Sequence, residues 1–232
     1  KKKKKKKIDG EINENDLLVA KSSQGCCRVI CFSPNHSLTI AEMGVEQILK
    51  IIDEWIFQYT DLTKKYIYAQ LFENKGAVMG CSNPHPHGQV WAGDSIPEEV
   101  EAEVNSFNTW KQKKSTCLLC DYVKLELEKG VRIVAQNESF VALIPFWAYW
   151  PFEILLFPKQ HFHLLSELNQ KQKDDLAEIL RIVTIKYDNL FETSFPYSMG
   201  IHQAPIQEGK DFSSFHFHFH FYPPLLRSSS VK

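Results

Sequence analysis

With 232 residues, 44% of them apolar and 12% aromatic, the chain is long enough for one large domain or two modest ones around a real core, and its composition is that of a globular protein. No run approaches the roughly 18 apolar residues of a membrane helix, and no charged-then-apolar signal opens the sequence. Both observations argue against a membrane-spanning or secreted protein and make the cytoplasm the expected compartment. The net charge of −1 hides an asymmetry: residues 1–7 are all lysine, and without them 20 basic residues face 28 acidic ones, a net of −8 that argues against a nucleic-acid-binding body. The lysine run itself is expected to be a solvated, disordered tail or an artefact. Six cysteines without a secretion signal do not suggest a disulfide framework, and only Cys117-Leu118-Leu119-Cys120 has metal-ligand spacing.

Residues 8–24 are polar and expected to be irregular. Residues 28–32 are short, β-branched and aromatic, the pattern of a buried strand, which Ser33-Pro34-Asn35-His36 breaks. Thr39 is the expected N-cap of a helix, with Glu42 completing a capping box, and Ile48, Ile51, Ile52, Trp55 and Tyr59 mark its apolar face. A strand over 66–72 should end in Glu73-Asn74-Lys75-Gly76, and a turn through Met79-Gly80-Cys81-Ser82 leads into Asn83-Pro84-His85-Pro86-His87-Gly88-Gln89-Val90-Trp91-Ala92. Read as one extended strand, this stretch places His85, His87 and Gln89 on a single face. Its prolines stiffen the backbone, and Gly88 would let a ligand approach the main chain.

Downstream, residues 97–114, with Glu98, Glu99, Glu101 and Glu103, suggest an exposed helix, and 117–128 a second one. Two strands are expected between 132 and 143 around Gln136-Asn137-Glu138, then a strand over 153–157 ahead of Pro158-Lys159-Gln160-His161. A long amphipathic helix carries Leu176, Ile179, Leu180, Val183, Tyr187 and Leu190 on its face. A short strand follows at 197–202, and over 215–222 His216, His218 and His220 alternate with phenylalanines.

The second half repeats the first. Residues 28–43 align without gaps on 153–168, placing Phe32 on Phe157, His36 on His161 and Glu42 on Glu167. Each copy then runs through a long helix and a strand to a His-x-His strand, so the expected architecture is a duplicated α+β unit. The second copy has Cys117 and Cys120 before its lone histidine. The first has no counterpart, since Cys26 and Cys27 are adjacent, which suggests a chain cut at its amino end. All nine histidines fall at these places, although His163 reads as an exposed or internally satisfied ring. Zinc requires neutral imidazoles and thiolates, whereas a nucleophile requires a free imidazole nitrogen with the other nitrogen held. Dividing the roles is the economical reading: one histidine of the 83–89 stretch joins His36 on a metal and the other attacks an electrophile. By analogy with the first copy, Cys117, Cys120, His161 and His218 form one possible metal set in the second.

These residues resemble a known family. Phe72-Glu73-Asn74-Lys75-Gly76 and the stretch from Met79 to Ala92, taken with Cys31-Phe32-Ser33-Pro34-Asn35-His36, Trp150-Pro151-Phe152-Glu153, Phe195-Pro196-Tyr197-Ser198-Met199-Gly200, His202-Gln203-Ala204-Pro205 and His220-Phe221-Tyr222-Pro223-Pro224-Leu225-Leu226-Arg227-Ser228, are similar to the galactose-1-phosphate uridylyltransferases of the histidine-triad superfamily. The resemblance implies an α+β fold of duplicated histidine-triad-like domains, each an antiparallel sheet with a long helix packed on it. They would cover residues 8–110, with the nucleophile, and 111–232, each incomplete at its outer end.

It also implies a ping-pong enzyme of galactose metabolism, in which His87 attacks the α-phosphorus of UDP-glucose, expels glucose 1-phosphate, and passes the uridylyl group to galactose 1-phosphate to give UDP-galactose. Gln89 would bond the phosphoryl group, where hydrolase relatives carry a third histidine. Phe72, Glu73, Asn74, Gly80, Cys81 and Ser82 would line the substrate. His36 and His85 would be two of four zinc ligands, and Glu103, His202, His218 and His220 a second, structural site for iron or zinc. That second set is preferred over the one containing Cys117, Cys120 and His161 because it uses His202, and His216 has no role in it. The resemblance further implies a homodimer in the full-length form, with neither nucleic acid nor membrane as partner. The other readings are an inactive nucleotide- or metal-binding fragment and a related nucleotidyltransferase or dinucleotide phosphorylase.

Overall fold

The computed structural model describes residues 11–224, so the lysine run and Leu225-Leu226-Arg227-Ser228 lie outside the described residues. The described residues open with a hairpin, β1 (Glu11–Glu14) and β2 (Leu18–Lys21), in a region expected to be irregular. Its turn holds Asn15 and Asp16 at φ of 56° and 60°, a conformation these two residue types accept more readily than most. A polar run that looks structureless is therefore a specified turn.

Eight further strands form one antiparallel sheet: β3 (Gly25–Cys31), β4 (Tyr68–Lys75), β5 (His87–Gly93), β6 (Ile133–Gln136), β7 (Phe140–Leu143), β8 (Ile154–Pro158), β9 (Tyr197–His202) and β10 (His218–Tyr222). Their order is β3-β5-β4-β9-β10-β8-β7-β6. The sequence repeat equates β3 with β8, β4 with β9 and β5 with β10, so the six strands β3-β5-β4-β9-β10-β8 are a palindrome about the β4–β9 pairing, and β7 and β6 extend the second half alone. The two halves share a single sheet, joined where Leu71 faces Ile201 and Lys75 faces Tyr197. The boundary expected at 110 falls inside α2 (Glu98–Lys114).

Helices α1 (Val45–Leu62) and α4 (Gln170–Phe191) pack together on one face, over Leu71, Val90, Tyr197, Met199, Phe219 and Phe221. Five of the six apolar residues expected on the α4 face are buried, but Leu190 is exposed. Thr39 does not cap α1. Its N–H and hydroxyl both donate to Glu42 at 3.0 Å, closing a turn upstream, and the helix starts after Gly44, whose N–H bonds Gln47. On the other face α2 and α3 (Leu118–Lys129) bury Val100, Phe107, Leu119 and Val123 against Leu155, Phe157 and Phe215.

Strand β4 continues through Glu73-Asn74-Lys75, the residues expected to end it, because β9 pairs with all three. The 83–92 stretch departs the other way. Pro84 and Pro86 have no N–H to give a ladder, so β5 starts at His87, and His85 lies ahead of the strand face it was expected to share. Gly88 has a packing role: a Cβ there would come within 3.1 Å of the Phe32 ring and 3.3 Å of the Phe72 carbonyl, so the close approach its missing side chain permits is to the protein's own core. Gly88→Ala should therefore cost about 1–3 kcal/mol in chemical denaturation; unchanged stability would contradict this close contact.

Candidate active site and metal centres

The 81–87 loop is built from its own side chains. The Cys81 thiol donates to the Asn83 carbonyl at 2.9 Å, the Asn83 side-chain oxygen accepts the His85 N–H at 3.1 Å, and the Pro86 carbonyl accepts the Phe32 N–H at 3.1 Å. These contacts present the His85 carbonyl to His87, whose Nδ1–H donates to it at 2.7 Å. Holding the proton on Nδ1 leaves the Nε2 lone pair outward, the tautomer an imidazole nucleophile needs.

Beside His87 lies a cavity of about 340 Å³ lined by Asn74, Lys75, Cys81, Ser82, His85 and His87. Asn74 also lines a broader groove of about 600 Å³, with Phe72, Trp91, Gln70, His202 and Tyr222. Gln89 follows His87 on the same strand face, opposite Phe72, whose ring meets Trp91 edge-on at 5.4 Å. Gly80, at φ of 84°, ends a 3₁₀ turn (Ala77–Met79) and sets the direction of Cys81 and Ser82.

Glu73 also lines the cavity beside His87, although most of its side chain is turned inward. Strand alternation turns it to the helix-covered face, where it is 4% exposed and accepts the Tyr197 hydroxyl at 2.9 Å. Burial pushes its carboxyl up to about 7, against the lowering effects of Tyr197 and Lys75. Lys75 in turn pairs with Asp188 at 3.1 Å.

His36 and His85 meet through their Nδ1 atoms at 2.7 Å. Two imidazole nitrogens on a tetrahedral zinc would be about 3.3 Å apart, so this is hydrogen-bond spacing. Among the described residues no third cysteine, histidine or carboxylate completes a cluster with them.

Two four-residue clusters do form in the second half. In the first, Glu103 on α2 reaches His202 on β9 and His218 and His220 on β10. His202 Nδ1 lies 2.8 and 3.0 Å from the two carboxylate oxygens, and the Nε2 atoms of His218 and His220 each lie 3.3 Å from Oε1. His218 gives its Nδ1–H to the His216 carbonyl at 2.8 Å, which aims the Nε2 lone pair at the carboxylate. A lone pair facing a half-buried carboxylate requires a cation between them, either a proton or a metal, and a carboxylate with three imidazoles suits a divalent transition metal. Burial opposes a charge on Glu103, yet His218, with the bonds from the three imidazoles, holds its carboxyl well below the usual range. Burial pushes His220 down to about 3.

In the second cluster Cys117, Cys120 and His161 come together as the repeat suggests, but the fourth member is His216, and His218 belongs to the Glu103 cluster. The reason is a two-residue offset. The bond from His218 Nδ1 to the carbonyl two residues back duplicates that from His87 to His85, so His85 corresponds to His216, His87 to His218 and Gln89 to His220. The two candidate sets are therefore disjoint and do not compete. Aligning His-x-His-x-Gln with His-x-His-x-His would have found His216 from sequence.

Comparison with known proteins adds the following. The family described as galactose-1-phosphate uridyl transferase matches through its N-terminal domain over residues 1–97 and its C-terminal domain over residues 103–232. The chain is 52% identical over 227 residues to the galactose-1-phosphate uridylyltransferase of Saccharomyces cerevisiae, covering 94% of this chain and 62% of that one. The Haemophilus influenzae protein of that name is 50% identical over 222 residues, covering 96% and 63%. A solved uridylyltransferase mutant superposes with a TM-score of 0.82 at 32% identity, over 93% of this chain and 71% of that one. The chain thus spans about three fifths of the length of the curated relatives it matches.

The Glu73 carboxyl makes stability depend on pH. Its folded value near 7 lies above the ordinary 4.5, so between these values the folded state holds a proton that the unfolded chain releases. Stability contributed by this group is complete below about 4.5, falls as pH rises to about 7, and is flat above that. Glu73→Gln, which still accepts from Tyr197, should remove this slope and be more stable than the parent at pH 8 by up to about 3 kcal/mol. Urea denaturation at pH 5 and pH 8 measures it; equal slopes in the two proteins would contradict the assignment.

Proposed function

The chain belongs to the galactose-1-phosphate uridyl transferase family, and on that premise we propose that it moves a uridylyl group between UDP-glucose and galactose 1-phosphate, in galactose metabolism, by way of a uridylyl-histidine at His87. The observation that carries this reading is the bond from His87 Nδ1–H to the His85 carbonyl, which leaves Nε2 as the attacking atom at the edge of a cavity. Nε2 attacks the α-phosphorus as the P–O bond to the leaving glucose 1-phosphate breaks. A phosphate oxygen of galactose 1-phosphate then attacks the same phosphorus, releasing UDP-galactose and the free imidazole. The carboxamide N–H of Gln89 bonds a phosphoryl oxygen as charge develops on it. Because a carboxamide cannot take a proton from water as imidazole does, the intermediate waits for a sugar phosphate instead of hydrolysing.

Asn74, Cys81 and Ser82 line the cavity beside His87 and contact the phosphates in this reading, Gly80 shapes their loop, and Phe72 offers an apolar surface next to Gln89. Glu73 lines the same cavity and braces β4 against β9 through Tyr197. On the family's pattern His36 and His85 would be two ligands of a zinc site fixing the loop, but their Nδ1 atoms would have to move apart from the 2.7 Å hydrogen bond they make, and no further ligand joins them among the described residues. Glu103, His202, His218 and His220 would hold a second metal, iron or zinc, whose charge would neutralise the half-buried carboxylate and tie α2 to β9 and β10. Two histidine-triad-like domains (8–110 and 111–232), a cytoplasmic setting and a homodimer of the full-length protein complete the reading. No helix among the described residues is long and apolar enough to cross a membrane.

Isotope exchange tests the proposal. Labelled glucose 1-phosphate should enter UDP-glucose with no galactose 1-phosphate present, and His87→Ala should reduce this exchange by roughly 10⁴-fold or more. Gln89→His should shorten the lifetime of the intermediate and raise UDP-glucose hydrolysis. Exchange that requires the second sugar phosphate would contradict a covalent intermediate. Discharge by inorganic phosphate would point to a phosphorylase, and no exchange from folded, metal-loaded protein to a binding fragment.

A further inference from the structure

The proposed reaction makes no use of the second cluster. Cys117, Cys120, His161 and His216 each offer one ligand atom, and all four atoms lie within 4.8 Å of one another. Three of the edges are sulfur-to-nitrogen: Cys117 Sγ to His216 Nδ1 at 3.5 Å, and Cys120 Sγ to the Nδ1 atoms of His216 and His161 at 3.6 Å each. A zinc ion bonded to sulfur at about 2.3 Å and to nitrogen at about 2.0–2.1 Å in a tetrahedron sets that edge at roughly 3.6 Å. The spacing is therefore that of four ligands around a common centre.

The surroundings prepare each ligand for that role. His161 donates its Nε2–H to the Ser213 carbonyl at 3.2 Å, and His216 donates its own to the Pro158 carbonyl at 3.0 Å. Both rings are thereby fixed with the Nδ1 lone pair facing the sulfurs, the orienting device that metal-binding histidines use. Cys117 is the N-cap of α3, and its sulfur accepts the Cys120 N–H at 3.5 Å. The positive end of a helix favours a thiolate there. Two thiolates and two neutral imidazoles balance a divalent ion, so the site can sit around the fully buried His216 without enclosing net charge.

We infer that Cys117, Cys120, His161 and His216 form a tetrahedral zinc centre, separate from the Glu103 cluster and present alongside it. Its ligand set is softer than that of Glu103 and its three histidines, and selects zinc. The centre joins the start of α3 to the loop after β8 and to the chain leading into β10. It also holds His216, whose carbonyl orients His218 of the neighbouring cluster. Cys117 and Cys120 thus supply in the second half the ligand pair that His36 and His85 lack among the described residues of the first.

Cobalt substitution of the full chain is the test. One cobalt ion per chain should show thiolate-to-metal charge-transfer absorption and strong tetrahedral visible bands. Cys117→Ser and Cys120→Ser should each lose the charge-transfer bands together with one equivalent of zinc in elemental analysis, whereas Glu103→Gln should keep both. In the parent protein, which needs no variant to fold, alkylation should spare Cys117 and Cys120 until a chelator is added. Absence of the charge-transfer band, its persistence in both cysteine variants, equal alkylation with and without chelator, or a Cys117–Cys120 disulfide in zinc-treated protein would each overturn the inference.

Discussion

Alternation of side chains along the central strands is the constraint on which the rest of this structure depends. Along β10 and the residue before it, Phe217, Phe219 and Phe221 enter the core beneath α1 and α4, while His218 and His220 point to the opposite face. Burying such rings stabilises by roughly 1.5–3 kcal/mol each, so the apolar side of the strand sets the register and the histidines follow. A slip of one residue would place the imidazoles beneath the helices and the phenylalanines over Glu103. The same logic on β5 sends Val90 and Ala92 inward and leaves His87, Gln89 and Trp91 on the face that also carries His202. Pairing of β4 with β9 then unites the two faces into one surface.

On that surface the duplicated units use one device for different chemistry. In each half a histidine offers its backbone carbonyl to the Nδ1–H of the histidine two residues later, at 2.7 Å for His87 and 2.8 Å for His218. The proton position is thus set by backbone geometry, and Nε2 is aimed outward in both. What differs is what Nε2 meets. That of His87 opens on a cavity, whereas that of His218 faces the Glu103 carboxylate brought in by α2. Gln89 in one half and His220 in the other complete the divergence. One half leaves an imidazole nitrogen open to a cavity, and the other gathers imidazoles around a carboxylate.

Much of this was legible in the sequence, and the departures have specific causes. The strands of the large sheet and all four helices were located, most by hydrophobic period where apolar burial dominates, α2 by its acidic run and β5 by its histidine motif. The β1–β2 hairpin was missed because its turn is set by Asn15 and Asp16 while its apolar residues Ile12, Leu18 and Val19 stay exposed and mark no core face. His85 was assigned to a strand although its flanking prolines cannot join a ladder. Glu73, placed with the substrate-binding residues, does line the cavity beside His87, and counting alternately from Phe72 adds that its carboxyl turns toward Tyr197. The resemblance named both His87 and the Glu103 group, and their convergence on one sheet face depends on the β4–β9 pairing, which no local pattern encodes. His216 escaped because the repeat was followed from His36 and His161 but aligned on the wrong histidine of the final strand.

The central claim is that His87, held by the His85 carbonyl, forms a covalent bond to phosphorus. Brief incubation with UDP-glucose followed by peptide mass spectrometry tests it directly. The account predicts a uridylyl adduct, stable to base and labile to acid, on the peptide containing His87 and on no other. An adduct on a different residue, or turnover of UDP-glucose with no protein adduct at any time, would contradict it.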